Sequence, residues 1–501
     1  MNPDAILFGA FERHNFGDLL MGYAFEKLLR QRGINTIHAS ILDNDLTACG
    51  GKRVHSIFDL LANGLDPDIP ILHVGGETAT CSFNDALACD SPAPLPYHLK
   101  DIISSEVHQE LGTDRPFPYL TPPRERINTA SKPWGNRLFY GIGLTQLSDD
   151  RADNERLRAT FAAARMISFR DAHSLSHARG LGMTQATYAP DIVLSISRLM
   201  PVSKPVGAGY LLMHFKGNYL RRNSAELIDA LSQIATQFEG GLKLGLAGTA
   251  NYHDSLDEYY RFKQLAEESS VPIEVLPSVD ILTICQQIAS AAAVISTSLH
   301  YRIVARSYGV PRLTMHMHKV NCWSESNDAL YPFGMEPGQL PASLNTIMRM
   351  ERPVEDSGQT KDLAIIDHHL EAISGIIRSS APNSDRPKVS ESPPQPGPPS
   401  PDLWIASMAR CLDDRDLSIR TQAEIIRVQD AVLSSKARLL RQLLKLLIAS
   451  VRPLRASAAT SSSPARQHVP GGSQGSAGEG DPHHPIAQTN GRASHRALKH
   501  R

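Results

Sequence analysis

The chain has 501 residues, with 51 Lys and Arg against 52 Asp and Glu and a formal net charge of −1. That length admits two or three domains, and the charge balance of the globular part offers no argument for nucleic-acid binding. The six cysteines, Cys49, Cys81, Cys89, Cys285, Cys322 and Cys411, show no CxxC or repeated spacing. Neither a zinc ribbon nor a disulfide framework is expected, and a reduced, cytoplasmic setting fits this usage. Met1-Asn2-Pro3-Asp4 is not basic and leads straight into an apolar run, unlike a signal peptide. No apolar stretch approaches the roughly 18 residues that span a bilayer, so a soluble or peripheral protein is expected.

The first half alternates strands and helices. Ala5 to Gly9 reads as a short buried strand, followed by a loop over 11–17. A helix from Leu19 to Gln31 follows, with Leu20, Tyr23, Ala24 and Leu28 on one face and Gly33 as its stop signal. Ile34 to Ala39 is the next strand. Ile69 to Val74 ends at Gly75-Gly76, Leu138 to Ile142 ends at a Gly-x-Gly, and Met166 to Phe169 ends at Arg170-Asp171. Strands at this spacing with helices between them predict a parallel, doubly wound sheet.

The pattern pauses near Pro201 to Gly207, which suggests a hinge. A second set then runs through strand Tyr210 to Phe215, helix Ala225 to Phe238, strand Leu242 to Leu246 and strand Ile273 to Leu276. Helix Ile281 to Ala289, strand Ala293 to Ile295 and a helix carrying His300 complete it. The fold class is therefore α/β, two Rossmann-like domains over 1–200 and 201–378 facing across a cleft. A Pro/Ser-rich linker over 379–402, a helical segment over 403–455 and a disordered tail over 456–501 follow. Within 436–452, Leu439, Leu440, Leu443, Leu444 and Leu447 oppose Arg438, Arg441, Lys445 and Arg452. Such a basic amphipathic helix suits an anionic membrane surface, a partner helix or an ordinary packing face.

Functional candidates cluster where strands end. His300 follows Ala291 to Thr297 and Ser298, at the carboxyl edge of a parallel sheet, where open α/β folds bind ligands. Arg302 and Arg306 lie nearby in sequence and offer charge for an anion. Asn15-Phe16-Gly17-Asp18 places a tight turn and a helix start after the first strand. Arg170-Asp171 can hold an anion or brace its turn, and Asp191 can act as base, hydroxyl-orienting group or cap. His316-Met317-His318 with Cys322 lacks a carboxylate partner, so no metal site is expected. The adjacent His368 and His369 point to different helix faces. Trp323 fits either sugar stacking or plain packing.

Taken in order, these motifs resemble the polysaccharide pyruvyl transferase family over roughly residues 5 to 330. The set comprises Asn15-x-Gly17-Asp18, Gly75-Gly76-Glu77, Gly141-Ile142-Gly143, Arg170-Asp171 to Ser174, Pro190-Asp191, Ser298-Leu299-His300 and Gly309-Val310-Pro311. The resemblance implies a two-domain, glycosyltransferase-B-like architecture. It also implies transfer of the enolpyruvyl unit of phosphoenolpyruvate onto two sugar hydroxyls, with a ketal formed and phosphate released. No cofactor is implied, phosphoenolpyruvate being the co-substrate. The implied partner is a saccharide acceptor of a bacterial exopolysaccharide, in its polymer or lipid-linked form, and the implied location is cytoplasmic or peripheral to the inner membrane.

On that reading His300 serves as acid and base, a task imidazole side chains commonly take, and Asp18 assists by orienting hydroxyls. Arg170, Arg302 and Lys319 bind the donor's carboxylate and phosphate. Asn15, Gly17 and Asp191 face the acceptor, while Gly75, Gly76, Gly141 and Gly143 shape the loops. Four positions depart from the family pattern. Ser298 stands in place of an arginine, Tyr301 of a glycine, His73 of a third glycine and His214 of an arginine. They leave a shifted donor, a shifted acceptor or an inactive paralogue open. The alternative functions are a nucleotide-sugar glycosyltransferase of the same architecture, which the missing Glu-x7-Glu counts against, and an inactive scaffold paralogue recruiting partners through 403–452.

Overall fold

Among the described residues, thirteen short strands, four residues long in the commonest case, form two separate, mainly parallel sheets in the computed structural model. The structure describes residues 3–62, 65–66, 68–90, 117–120, 136–202, 209–350 and 357–380. In the first sheet the strands are β1 (Ala5–Phe8), β2 (Thr36–Ser40), β3 (Asn44–Asp45), β4 (Arg53–Ser56) and β5 (Ile71–Gly76). β6 (Arg137–Ile142), β7 (Met166–Phe169) and β8 (Thr187–Tyr188) complete it. Their order is β3-β4-β2-β1-β5-β6-β7-β8, and only the β3–β4 pair is antiparallel. The second sheet contains β9 (Leu211–His214), β10 (Leu242–Gly245), β11 (Ile273–Leu276), β12 (Ala293–Ser296) and β13 (Arg312–Thr314). Its order is β11-β10-β9-β12-β13, all parallel.

Both sheets read as apolar runs because helices cover both faces of a parallel sheet. Ala5, Ile6, Leu7 and Phe8 are fully buried, as are Ala293, Val294 and Ile295. Strand order then locates the ligand sites. In the first sheet β1 lies between β2 and β5, and in the second β9 lies between β10 and β12. The chain changes direction at those two strands, so the crevices open beyond the carboxyl ends of β1 and β9.

The first helix, Phe16–Arg30, starts three residues earlier than its apolar pattern suggests, because Asn15 caps it by accepting the Gly17 N–H at 3.1 Å. Its buried face carries Leu20, Ala24 and Leu28, as expected. The helix expected over 225–238 occupies Gly217–Ser232 instead, followed by a short turn at Ala235–Gln237. Leu220, Leu227 and Leu231 extend the apolar face backwards, and no capping side chain marks the start at Lys216. Helix Ser357–Ser379 packs against the first sheet's helices although sequence position groups it with the second domain. Ile366, Leu370, Ile373 and Ile377 join the core beside Phe25, Leu28 and Leu29. Asp367 pairs with Arg198 at 2.9 Å, and the Tyr188 carbonyl lies 3.1 Å from His369 Nε2. The linker beyond residue 380, the helical segment 403–455 and the tail 456–501 lie outside the described residues.

Arg302, expected at the donor, is a core brace instead. It is fully buried, and its guanidinium donates to Thr314 Oγ1 and to the carbonyls of Pro332, Asp328 and Tyr331 at 2.8–2.9 Å. Nε also lies 2.7 Å from Asp328 Oδ2, and Arg312 grips the same carboxylate. Burial and the neighbouring Arg312 lower its guanidinium to about 10 against the pull of Asp328. Arg306 is likewise turned away, paired with Asp362 at 2.7 Å. Replacing Arg302 by Met leaves the Asp328 carboxylate to Arg312 alone and takes the donor from several carbonyls. The expected loss is about 3–5 kcal/mol of unfolding free energy in urea titration.

Candidate functional site

Two strand ends and one helix start meet in a single pocket. The first sheet contributes Asn15, Asp18, Gly76, Glu77 and Arg170 to its wall, and the second contributes His214, Lys216, His253, Asp254, Ser298, His300 and Lys319. Backbone contacts fasten the walls together. Phe16 N–H donates to the Ala247 carbonyl at 2.6 Å, Asn15 forms a β-bridge with Gly248, and Thr249 N–H donates to the His14 carbonyl at 3.2 Å. The loop after β1 is thereby fixed to the loop after β10.

His300 sits in the first turn of helix Leu299–Ser307, with its side chain 12% exposed, and its ring lies over the backbone of Gly17. A Cβ on Gly17 would fall 1.8 Å from His300 Nδ1, so no other residue fits without moving the ring. Behind the ring, Asp191 Oδ2 lies 3.6 Å from Nε2, and neither atom has a hydrogen-bond partner among the described residues. Asp191 is buried and caps a short 3-10 helix by accepting the Val193 N–H at 3.0 Å. Burial pushes its carboxyl up, but His300 and Arg170 together hold it below the usual carboxylate range. Gly17 and Asp191, expected to face the acceptor, are respectively beneath and behind the histidine.

Arg170 reaches the pocket with its charge largely spent. It donates to Glu77 Oε1 at 2.5 Å and lies 3.9 Å from Asp171 and 4.0 Å from Asp191. These carboxylates raise its pKa against the opposing effect of burial. The expected loop glycines make room for this pair. A Cβ on Gly143 would meet Glu77 Oε1 at 2.5 Å and Arg170 Nη2 at 2.7 Å, and one on Gly75 would meet the Gly141 carbonyl at 2.3 Å. Gly76 and Gly141 adopt φ values of 100° and 59°, which side chains rarely tolerate.

Two ammonium groups remain uncommitted: neither Lys216 nor Lys319 has a carboxylate at ion-pair distance among the described residues. Lys319 opens into the cleft yet stands between both lobes. That enclosure, reinforced by Lys216, lowers its ammonium below the usual lysine range. Asp18 faces them, and burial raises its carboxyl despite Arg13 and His300. His214 is buried, 3.1 Å from Asp254 Oδ2. Asp254 also accepts the N–H groups of Ala247 and Gly248 at 2.7 and 3.0 Å. His253 is held neutral, its pKa lowered by burial to about 4, and faces Asn15 Nδ2 at 3.3 Å.

The pocket thus gathers His300, Asp18, Arg170, Lys319 and Asn15, while Arg302 stays outside. Sequence reading missed Glu77, Lys216, His253 and Asp254. Only the positions of Glu77 after Gly75-Gly76 and of Lys216 just beyond β9 offered a signal. The structure also places the other side chains singled out in the sequence. Tyr301, standing where the family has a glycine, does not line the pocket: its ring is fully buried and its hydroxyl donates to the Leu246 carbonyl at 2.7 Å. Trp323 is fully buried, which leaves no face for a sugar. His73 is a core residue stacked on Phe139, its pKa lowered by burial to about 3. His316 and His318 contact Asn321 and the Thr145 carbonyl respectively.

The family model described as polysaccharide pyruvyl transferase matches residues 15–315, more than half of the chain. The chain belongs to that family. It is accordingly a transferase whose acceptor is a saccharide. No curated protein matches the chain. Among solved structures, UDP-GlcNAc 2-epimerase from Methanocaldococcus jannaschii is 10% identical with a TM-score of 0.43, covering 73% of this chain and 99% of that one. The UDP-N-acetylglucosamine 2-epimerase from Rickettsia bellii is 12% identical with a TM-score of 0.41, covering 74% and 97%. A lipopolysaccharide outer core galactosyltransferase is 13% identical with a TM-score of 0.37, covering 75% and 100%. In this pyruvyl transferase family member no helix among the described residues is long and apolar enough to cross a membrane.

The depressed Asp191 carboxyl has a measurable consequence. Its ionised form stabilises the fold fully above the unfolded value of about 3.9, and that contribution disappears as pH falls through the lower folded value. Asp191→Asn is expected to unfold at lower urea than the wild type at pH 7, with the gap shrinking below about pH 4.

Proposed function

We propose that this transferase moves the enolpyruvyl unit of phosphoenolpyruvate onto two hydroxyls of one sugar in a bacterial exopolysaccharide or its lipid-linked precursor. The product is a cyclic pyruvate ketal, and phosphate is released. The observation that carries the reading is the meeting, in one pocket, of His300, backed by Asp191, with Lys216 and Lys319, two cations that no carboxylate claims among the described residues. A small dianion or trianion satisfies them, and a proton-transferring imidazole stands beside it.

The proton count suits one relay. C3 of the donor gains one proton, the first hydroxyl oxygen bonds C2, and that hydroxyl gives up its proton. The C2–O bond to phosphate breaks, and the second hydroxyl oxygen then closes the ketal at C2 as its own proton departs. Of the two protons lost from oxygen, one ends on C3 and one on the released phosphate. His300 accepts and returns these protons, with Asp191 stabilising its charged form. Asp18 and Asn15 orient the hydroxyls. Lys319 and Lys216 hold the phosphate and carboxylate, a task for which Arg170 has little charge to spare. No metal or further cofactor enters this scheme. Residues 436–452 would keep the enzyme beside an anionic membrane surface or a partner helix, close to a lipid-linked acceptor.

Phosphate release from phosphoenolpyruvate in the presence of a panel of oligosaccharides tests the reading. His300→Ala is expected to lower the rate by about 10²–10⁴-fold. Gly17→Ala, which displaces the same ring, is expected to cost about 100-fold while the far-ultraviolet circular dichroism is unchanged. Lys319→Met is expected to raise the KM for phosphoenolpyruvate by about tenfold. Absence of phosphate release with every acceptor, or full activity in His300→Ala, removes the proposal.

A further inference from the structure

With Gly17 beneath His300 and Asp191 behind it, the first pocket offers few groups to hold a sugar. A second cavity adjoins it in the first domain. The loop after β5 runs from one into the other: Gly76 and Glu77 line the first, and Thr80 and Ser82 line the second. The loop after β6 does the same. Thr145 donates through N–H and Oγ1 to Glu77 Oε2 at 3.4 and 3.2 Å, and the residues that follow it, Gln146 to Ser148, border the second cavity. The far wall is helix Arg151–Ala162.

The two cavities differ in chemistry. The first is crowded with ionisable groups. In the second, Asp153 is the only ionisable residue of the described lining, and its carboxylate is engaged by Arg156 at 3.2 Å. The rest of the wall is hydroxyl and amide groups interleaved with Leu144, Leu147, Leu157 and Phe117. Such a surface suits a neutral polyhydroxy ring, whose hydroxyls bond outward while its C–H faces rest on apolar side chains. Two polar groups stand ready there. Asn154 donates from Nδ2 to the Ser148 carbonyl at 2.7 Å, which leaves its buried Oδ1 without a partner among the described residues. A buried acceptor in that state is costly unless a ligand or water meets it. The Gln146 amide is exposed and makes no side-chain hydrogen bond among the described residues.

We propose that this second cavity binds the neutral sugar residue next to the one that is pyruvylated, so that the acceptor is at least a disaccharide. The identity of the reacting neighbour rests on the pyruvyl-transfer reading, whereas sugar binding in the cavity does not. Asn154 Oδ1 accepts from a sugar hydroxyl, Gln146 bonds a second, and Leu147 carries the ring face.

Saturation-transfer NMR on the full chain tests this, with maltose, cellobiose and lactose as disaccharide probes and methyl glucoside and methyl galactoside as single-ring controls. At least one disaccharide is expected to bind about tenfold more tightly than its single-ring control. Asn154→Ala and Gln146→Ala are each expected to weaken that disaccharide by about three- to tenfold and to leave the controls unchanged. Failure of all three disaccharides to bind, or binding unmoved in both variants, overturns the proposal. Thermal stabilisation by phosphoenolpyruvate reads the donor site independently. Its absence alongside intact, variant-sensitive disaccharide binding would remove the proposed reaction and leave the sugar subsite standing.

Discussion

The contact between the His300 ring and the Gly17 backbone is the constraint on which the pocket depends. It joins the two lobes at their facing sheet edges, since Gly17 opens the helix after β1 and His300 opens the helix after β12, the neighbour of β9. The ring occupies the volume a Cβ would need, so its position follows from a missing side chain rather than from a hydrogen bond. Around this point the segment 14–17 does several things at once. His14 anchors to Thr249 and Val279, Asn15 caps the helix and faces His253, and Phe16 packs edge-on against Tyr301 at 5.7 Å. A segment so heavily committed has little freedom to move without disturbing the histidine.

Charge is partitioned with similar economy. Arg170 is the most conspicuous cation in the motif set, yet Glu77, Asp171 and Asp191 surround it and cancel its field locally. In a medium of intermediate dielectric, opposite charges within about 4 Å interact by several kcal/mol, so a ligand anion gains little from a guanidinium already so paired. The gain lies with Lys216 and Lys319, whose mutual repulsion is relieved when an anion enters. Arg170 therefore acts as the brace that organises Glu77 and Asp191, and the lysines supply the attraction.

Much of this was legible in the sequence. Fully buried parallel strands print as continuous apolar runs, and their glycine-rich ends mark the sheet edge where ligands bind, so the strands and the His300 turn were readable. The helix Gly217–Ser232 was displaced by about two turns because nothing caps its start. The error at Arg302 had a different origin. Residues two apart on a helix project roughly 200° from one another, so His300 and Arg302 cannot face one ligand. That phase relation was available, and proximity in sequence concealed it. Lys216, His253 and Asp254 belong to a different category. They lie on connecting segments with no repeating pattern, and only the tertiary convergence of β9 with the loop after β10 brings them to His300.

The departures at positions 214 and 301 also change meaning once they are seen together. The rings of His214 and Tyr301 lie 4.8 Å apart, and Tyr301 reaches the Leu246 carbonyl through space that any side chain on Gly245 would take, with a Cβ there only 2.7 Å from its hydroxyl. A long guanidinium at 214 would compete with the tyrosine for that volume, so a compact imidazole beside a buried ring is one coupled exchange rather than two independent losses. Asp254 completes the exchange by bonding His214 and two backbone N–H groups, which burial alone would not allow a carboxylate to do without partners. The arginine charge absent at 214 and 298 is matched by Lys216, two residues beyond His214, and by Lys319 across the pocket. The pairing of His300 with Asp191, beside two ammonium groups that have no carboxylate at ion-pair distance among the described residues, argues for a site rebuilt instead of closed.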